Sequence, residues 1–220
     1  MNINIEEISH FFDKISDHYD EHFIIKTEMQ PFYDEIEEIL QYFGNISSLL
    51  DLGCGTGLEL ERVFKVFPDI LVTCIDISGK MIKRLIDKFE DKKDQLKVIC
   101  NSYFNVDLGN EQYDCVISSY SLHHFCTDEK SDLYKRICFS LKPNGFFING
   151  DLIAKTGEME KQYLDERARL INDKGLAEGM YNYDIPLAKE TERFLLINAG
   201  FSQIKIYKEW ENSAIFISNK

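Results

Sequence analysis

Apolar residues recur along this chain with two different periods, and the alternation between them predicts its architecture. In the N-terminal stretch IEEISHFFDKISDHYDEHF, residues Ile5, Ile8, Phe12, Ile15 and Tyr19 fall three or four apart, the spacing of one helical face. MQPFYDEIEEILQYF reads as a second helix, with Pro31 near its start and Gly44-Asn45 as its stop. After residue 47 short apolar runs alternate with helical stripes. SSLLDLG, ILVTCID, LKVICN, YDCVISSY and FFINGDL read as strands. Between them Leu60, Val63, Phe64 and Phe67 mark one helix, Met81, Ile82, Leu85, Ile86 and Phe89 a second, and Leu133, Ile137 and Leu141 a third. The strand runs are apolar without alternation, as a parallel sheet buried on both faces requires.

The C-terminal third departs from that rhythm. A polar helical stretch over residues 155–179 and the loop MYNYDIP precede a helix carrying Leu187, Phe194 and Ile197. Two further strands, FSQIKIYKEW and SAIFISN, are separated only by Glu211-Asn212. Two residues cannot make a parallel crossover, so these strands form an antiparallel hairpin. The expectation is α/β, a doubly wound, mostly parallel sheet in a single domain over residues 1–220. Residues 1–45 would form an N-terminal helical cap and residues 155–186 a helical insert before the sixth strand.

Composition sharpens this picture by exclusion. No run approaches the roughly 20 apolar residues of a membrane span, and the start MNINIEEISH lacks a basic-then-apolar signal, so no membrane partner and a cytoplasmic location are expected. The six cysteines contain no Cys-x-x-Cys pair, and Cys74, Cys100 and Cys115 lie in strand-like runs, which suits buried free thiols in a reducing compartment. His123 and His124 are adjacent, and adjacent side chains on a regular helix or strand diverge, so no metal site is expected. A net charge of −13 argues against nucleic acid, whose binders neutralise phosphates with Lys and Arg. The basic residues of 80–97 are interspersed with acids and read as a solvated helix face.

LLDLGCGTGLELE, residues 49–61, carries the chemistry. Gly53, Gly55 and Gly57 follow the first predicted strand and open the next helix, where glycine allows positive φ and close backbone approach to a ligand. A dinucleotide fingerprint would put its third glycine at position 58, where Leu58 stands, and the Lys-Ser/Thr of a Walker loop is absent. Asp76 ends the second strand, nineteen residues beyond Gly57, where a carboxylate can accept hydrogen bonds from a ribose diol and disfavours a phosphate.

In order and spacing, LLDLGCGTG, IDISGKMI, YDCVISSYSLHHF, LKPNGFF and LLINAGF resemble the class I S-adenosylmethionine-dependent methyltransferases, over roughly residues 47–201. The resemblance implies a Rossmann-like, seven-stranded sheet with an antiparallel last strand. It implies S-adenosyl-L-methionine as cofactor and S-adenosyl-L-homocysteine as product. Asp51 and the turn Gly53, Cys54, Gly55 and Gly57 would line the methionine half, with backbone groups meeting its amino and carboxylate ends. Asp76 would hold the ribose, Ile77 and Met81 would flank the adenine, and Asn101 and Ser102 would meet its edge. The family often has aspartate where Asn101 stands; an amide can still accept from an amino group. Ser118, Ser119 and Tyr120 would border the methionine moiety and the methyl group, and Tyr19 matches a tyrosine that caps the cofactor carboxylate in many relatives.

Transfer from a sulfonium is an in-line displacement that needs positioning more than covalent help. Where the acceptor must lose a proton, His123 is the favoured base over His124, with Asp151 a weaker candidate, although the histidines of LHH often only pack. Specificity is expected in the N-terminal helices and the insert, which offers Tyr163, Arg167, Arg169, Tyr181 and Tyr183; Phe125 and Tyr120 join from the core. The expected partner is a small-molecule acceptor, and the oligomeric state stands open between monomer and homodimer. Two rival readings keep the cofactor: a carboxy-S-adenosylmethionine synthase of tRNA wobble modification, which would place arginines near the sulfonium, and a non-catalytic binding module.

Overall fold

In a computed structural model that describes residues 6–22, 24, 29–175 and 180–220, the apolar runs after residue 47 pair into one sheet. Strands β1 (Ser48–Leu52), β2 (Leu71–Asp76), β3 (Leu96–Cys100), β4 (Tyr113–Ser119) and β5 (Leu141–Ala154) are mutually parallel. A two-residue strand β6 (Leu187–Ala188) pairs with the end of β5. The hairpin of β7 (Ser202–Glu209) and β8 (Ser213–Asn219) completes the order β3-β2-β1-β4-β5-β8-β7, with β8 antiparallel to both neighbours. The strand order reverses between β1 and β4, where a crevice opens outside the carboxyl ends of the strands.

Both faces of this sheet are covered, which explains the unalternating strands. On one face α3 (Gln30–Phe43), α4 (Leu60–Val66) and α5 (Gly79–Lys88) bring Ile36, Leu60, Val63 and Leu85 against Leu49, Cys74 and Ile148. On the other, α6 (Thr127–Ser140) and α8 (Lys189–Asn198) set Leu133, Ile137 and Leu196 against Leu52, Val116 and Phe147. Burying one such aliphatic side chain contributes roughly 1.5–3 kcal/mol. The sheet therefore fixes the pocket floor far more rigidly than any local propensity could.

The single N-terminal helix expected from periodicity is broken in the structure. Helix α1 (Ile8–Ile15) gives way to a 3-10 turn, Ser16–His18, and one further turn, α2 (Tyr19–Glu21). Tertiary pairing decides this: Asp13 accepts hydrogen bonds from the Ser78 hydroxyl and the Lys80 amide, Asp17 pairs with Arg84, and Asp20 takes Lys88 and Thr56. Each acid clasps α5 or the glycine turn. Ile5 lies outside the described residues.

Five apolar assignments also change. Ile86 is exposed on α5, and Phe194 and Ile197 are exposed on α8 while Leu195 and Leu196 are buried, because packing against α6 and β7 selects that face. Leu187 lies in β6 rather than on the helix. Cys100 is exposed at the end of edge strand β3, unlike buried Cys74 and Cys115. In the insert, α7 (Gly157–Lys174) has no buried residue; its Glu160 accepts from the Ala188 amide and the Thr191 hydroxyl, which ties it to β6 and α8.

Candidate active site

The glycine turn leaves β1 and folds back over β2. Gly53 and Cys54 donate their amides to the Ile75 carbonyl at 2.8 and 3.2 Å, and Gly57 donates to Cys54 at 2.8 Å. The Gly55 amide donates to Asp76 Oδ2 at 2.9 Å, so turn and carboxylate share one wall. Asp76 Oδ1 accepts from the Ser78 amide at 2.7 Å, and Ser78, not Asp76, caps α5 by accepting from Met81. Four amides of the turn are thus already engaged. Besides these amides, the turn offers close backbone approach and carbonyl oxygens.

Gly53, Gly55 and Gly57 all have positive φ, at 74°, 49° and 76°. A Cβ on Gly53 would sit 2.1 Å from Ser121 Oγ, so glycine there lets the segment after β4 close against the turn. Gly57 faces inward instead, where a Cβ would meet Phe89 at 2.8 Å. Tyr120 adopts φ 49°, uncommon for a bulky residue, at the end of β4. Its amide donates to Gly150 at 2.8 Å, and its ring packs on Phe32.

Between these walls lies a pocket. Of the residues expected to bind the cofactor, Tyr19, Gly53, Gly55, Asp76, Ile77, Met81, Ser102 and Ser119 line it, as does Tyr120. Asp51, Cys54, Gly57, Asn101 and Ser118 do not. Ser118 donates across the sheet to the Leu52 carbonyl at 3.0 Å, because its strand position aims it sideways. Asn101 is exposed and accepts from the Ser102 amide, which turns it out of the pocket. Asp51 lies fully buried beneath the turn.

The N-terminal segment and the insert complete the wall. Ile8 and Phe12 from α1 and Met180 from the insert line the pocket, and Ile8 donates its amide to the Met180 carbonyl at 3.0 Å. Glu6 accepts from the Asn182 amide at 2.9 Å, which joins the two segments. Tyr103, Ser121, His124 and Phe125 line the far side, and the Tyr103 hydroxyl lies 3.1 Å from Ser121 Oγ. Sequence reasoning missed Ile8, Met180, Tyr103 and Ser121, which no local motif marks. Tyr163, Arg167, Arg169, Tyr181 and Tyr183 do not line the pocket, and no Lys or Arg among the described residues does.

Acidic groups dominate the electrostatics. Burial, with Glu59 beside it, pushes the Asp51 carboxyl well above the usual range, and burial pushes Glu59 up to about 7. Both oxygens of Asp51 lack a hydrogen-bond partner. Burial also raises Asp76, restrained by the amides of Ser78 and Gly55.

The histidines behave differently from expectation. His123 does not line the pocket; its Nδ1 lies 2.5 Å from Asp151 Oδ1. Burial pulls its pKa down, but the carboxylates of Asp151 and Asp184 override this and hold it at about 9. A histidine already protonated at neutral pH cannot accept a proton, so the base role expected of His123 is not supported. His124 faces the pocket, and burial together with His123 presses it down to about 3. Nor do the rings diverge. Leu122–His124 is a 3-10 turn, and the two ring centroids are only 4.1 Å apart.

The structure thus presents a crevice at the switch point of a doubly wound sheet. Residues 49–145 match the model of the methyltransferase domain family. A carboxy-S-adenosyl-L-methionine synthase of Nautilia profundicola is 25% identical over 100% of this chain and 98% of its own. Magnesium protoporphyrin IX methyltransferase from Synechocystis, solved with bound SAH, shares the fold at TM-score 0.67 and 20% identity, covering 97% of each chain. A putative O-methyltransferase from Nostoc punctiforme superposes at TM-score 0.72 and 19% identity over 98% of this chain, which spans 62% of that longer one. In sequence over residues 49–145, and in fold along its length, the chain resembles the S-adenosylmethionine-dependent methyltransferases. No helix of the described residues is long and apolar enough to cross a membrane.

Proposed function

We propose that the protein transfers a methyl group from S-adenosyl-L-methionine to a small-molecule acceptor in this pocket. The observation that carries the reading is the Gly55 amide bound to Asp76 at 2.9 Å, which sets a bare backbone bend and a carboxylate on one wall. The residues fit the cofactor. Each Asp76 oxygen keeps acceptor capacity for a ribose hydroxyl, and Ile77 and Met81 offer apolar, polarisable surfaces for a flat base. Ser102 lies beside them for the adenine edge. Ser119 Oγ, from the end of β4, is buried without a hydrogen-bond partner on the facing wall and is free to meet the methionine moiety.

The cofactor supplies a methyl already activated by its sulfonium. What the chain adds is position and exclusion of water. Ile8, Phe12, Tyr19 and Met180 roof the pocket, while Tyr120, held in its uncommon backbone conformation, borders the acceptor side. A pocket with no Lys or Arg among its described residues suits a neutral or cationic acceptor, and the net charge of −13 disfavours nucleic acid. All six cysteines are free, in keeping with a cytoplasmic enzyme.

Calorimetry with S-adenosylmethionine and S-adenosylhomocysteine, followed by mass spectrometry of candidate metabolites for the gain of one methyl, tests this. Absence of binding by either nucleotide would overturn it. The end-to-end similarity to a carboxy-S-adenosylmethionine synthase supports a second reading. That chemistry calls for a cation beside the transferred carboxylate. Arg136 is committed instead to the carbonyls of Tyr103, Phe104 and Val106, and Arg193 to that of Ile204. A carboxylated nucleotide copurifying with the protein would reverse the preference.

A further inference from the structure

The 3-10 turn that ends in His124 brings together groups that the sequence pattern alone kept apart. His123 Nε2 and His124 Nδ1 each lie 3.5 Å from Asp184 Oδ1, and one ligand atom from each of the three residues lies within 4.8 Å of the others. Zinc-type ions take nitrogen and oxygen ligands at about 2.0–2.2 Å, so ligand atoms around one ion stand roughly 3.3–3.6 Å apart. Two imidazoles and a carboxylate are a donor set for borderline divalent transition ions. We propose that His123, His124 and Asp184 form a binding site for a zinc-class divalent cation on the acceptor side of the methyl-transfer pocket.

Three further features support the site. The second carboxylate, Asp151, accepts from His123 Nδ1, which leaves Nε2 as the donor atom; metal-binding histidines are commonly oriented in this way. His124 Nδ1 is buried with no hydrogen-bond partner, and the residue is 4% exposed. The Asp184 side chain is 56% exposed and gives an entry path, while the Ile185 amide, donating to the His123 carbonyl at 2.7 Å, holds its loop against the turn.

Three protein ligands leave a fourth position open, as in catalytic zinc sites. His124 also lines the pocket, so that position lies next to where an acceptor would sit. This last consequence, that the cation would orient an acceptor hydroxyl, thiol or amine, rests on the methyl-transfer reading. The binding site itself does not.

The test uses full-length protein treated with chelator and titrated with Zn²⁺ by calorimetry and with Co²⁺ by visible absorption. The expected result is one saturable equivalent with the absorption of a four- or five-coordinate Co²⁺–imidazole site. Asp184→Asn and His124→Gln should each weaken binding at least about tenfold, and Asp151→Asn about 10–100-fold through the orientation of His123. Circular dichroism checks folding, and exposed Asp184→Asn supplies the decisive variant should a buried one misfold. No saturable equivalent, or equal binding by wild type and Asp184→Asn, would overturn the site and leave a protonated His123 between two carboxylates as the answer. S-adenosylhomocysteine titrated into the same samples separates the two proposals: nucleotide binding without the cation sinks only this one, and the cation without nucleotide sinks only the function.

Discussion

The two walls of the pocket are built on opposite principles. The wall from β1 and β2 is made of backbone and one carboxylate, contiguous in the parallel pair, with Leu52 opposite Ile75 and Gly55 bound to Asp76. The wall from β4, the histidine turn and the insert is made of side chains drawn from distant parts of the chain; Asp184 meets His123 across sixty-one residues. The first suits the constant part of a reaction, a cofactor, and the second the variable part, an acceptor. Loops carried on a rigid sheet can change their side chains without disturbing the floor beneath.

The sharpest way to break this division is Gly53→Ala, because Gly53 is where the walls touch. With φ 74° and a Cβ only 2.1 Å from Ser121 Oγ, the substitution should weaken S-adenosylhomocysteine binding by about 100-fold, roughly 2.7 kcal/mol, by calorimetry. Adding Ser121→Gly should recover part of the loss. An unchanged Gly53→Ala would show that the walls need not close.

Next comes the acid beneath the turn. Glu59 ionises near 7 in the folded chain but near 4.5 when unfolded, so the unfolded state binds fewer protons between those values and stability falls as pH rises through that window. Asp51 acts in the same direction. Glu59→Gln should therefore stabilise the protein by about 2 kcal/mol at pH 8 and hardly at all at pH 4, measured by urea unfolding. A gain that does not depend on pH would refute the assignment.

Asp76→Ala should weaken nucleotide binding about tenfold or more, or roughly 1.4 kcal/mol, through lost ribose contacts; unchanged calorimetric affinity would remove Asp76 from the cofactor wall. The smallest effect is expected at the clasp between α1 and α5. Asp17 and Arg84 are largely exposed, at 72% and 42%, and solvent screens such pairs. Asp17→Ala should leave the urea unfolding midpoint essentially unchanged. A clear drop would make the N-terminal cap a structural element rather than a roof.

The asymmetry between the walls also explains what could be read in advance. Gly53, Gly55 and Asp76 were legible because a glycine turn after an apolar run and an acid at the next strand end are local patterns. Ser118 and Ser119 show the limit: neighbours on one strand, they point to opposite sides, and only Ser119 reaches the pocket. The helical face of α8 was misassigned because Leu195 and Phe194 are equally apolar, and only α6 and β7 decide which of them is buried.

By itself, the sequence determined the parallel sheet, the terminal hairpin and the glycine turn. In each, the decisive interactions are short in range: hydrophobic period, strand length, and a backbone conformation that only glycine readily supplies. Tertiary structure alone decided that His124 rather than His123 faces the pocket, that Asp184 joins both, and that no arginine among the described residues lines the cavity. Those outcomes depend on where a three-residue turn aims its rings and on which distant loop docks beside it. Periodicity carries no record of either.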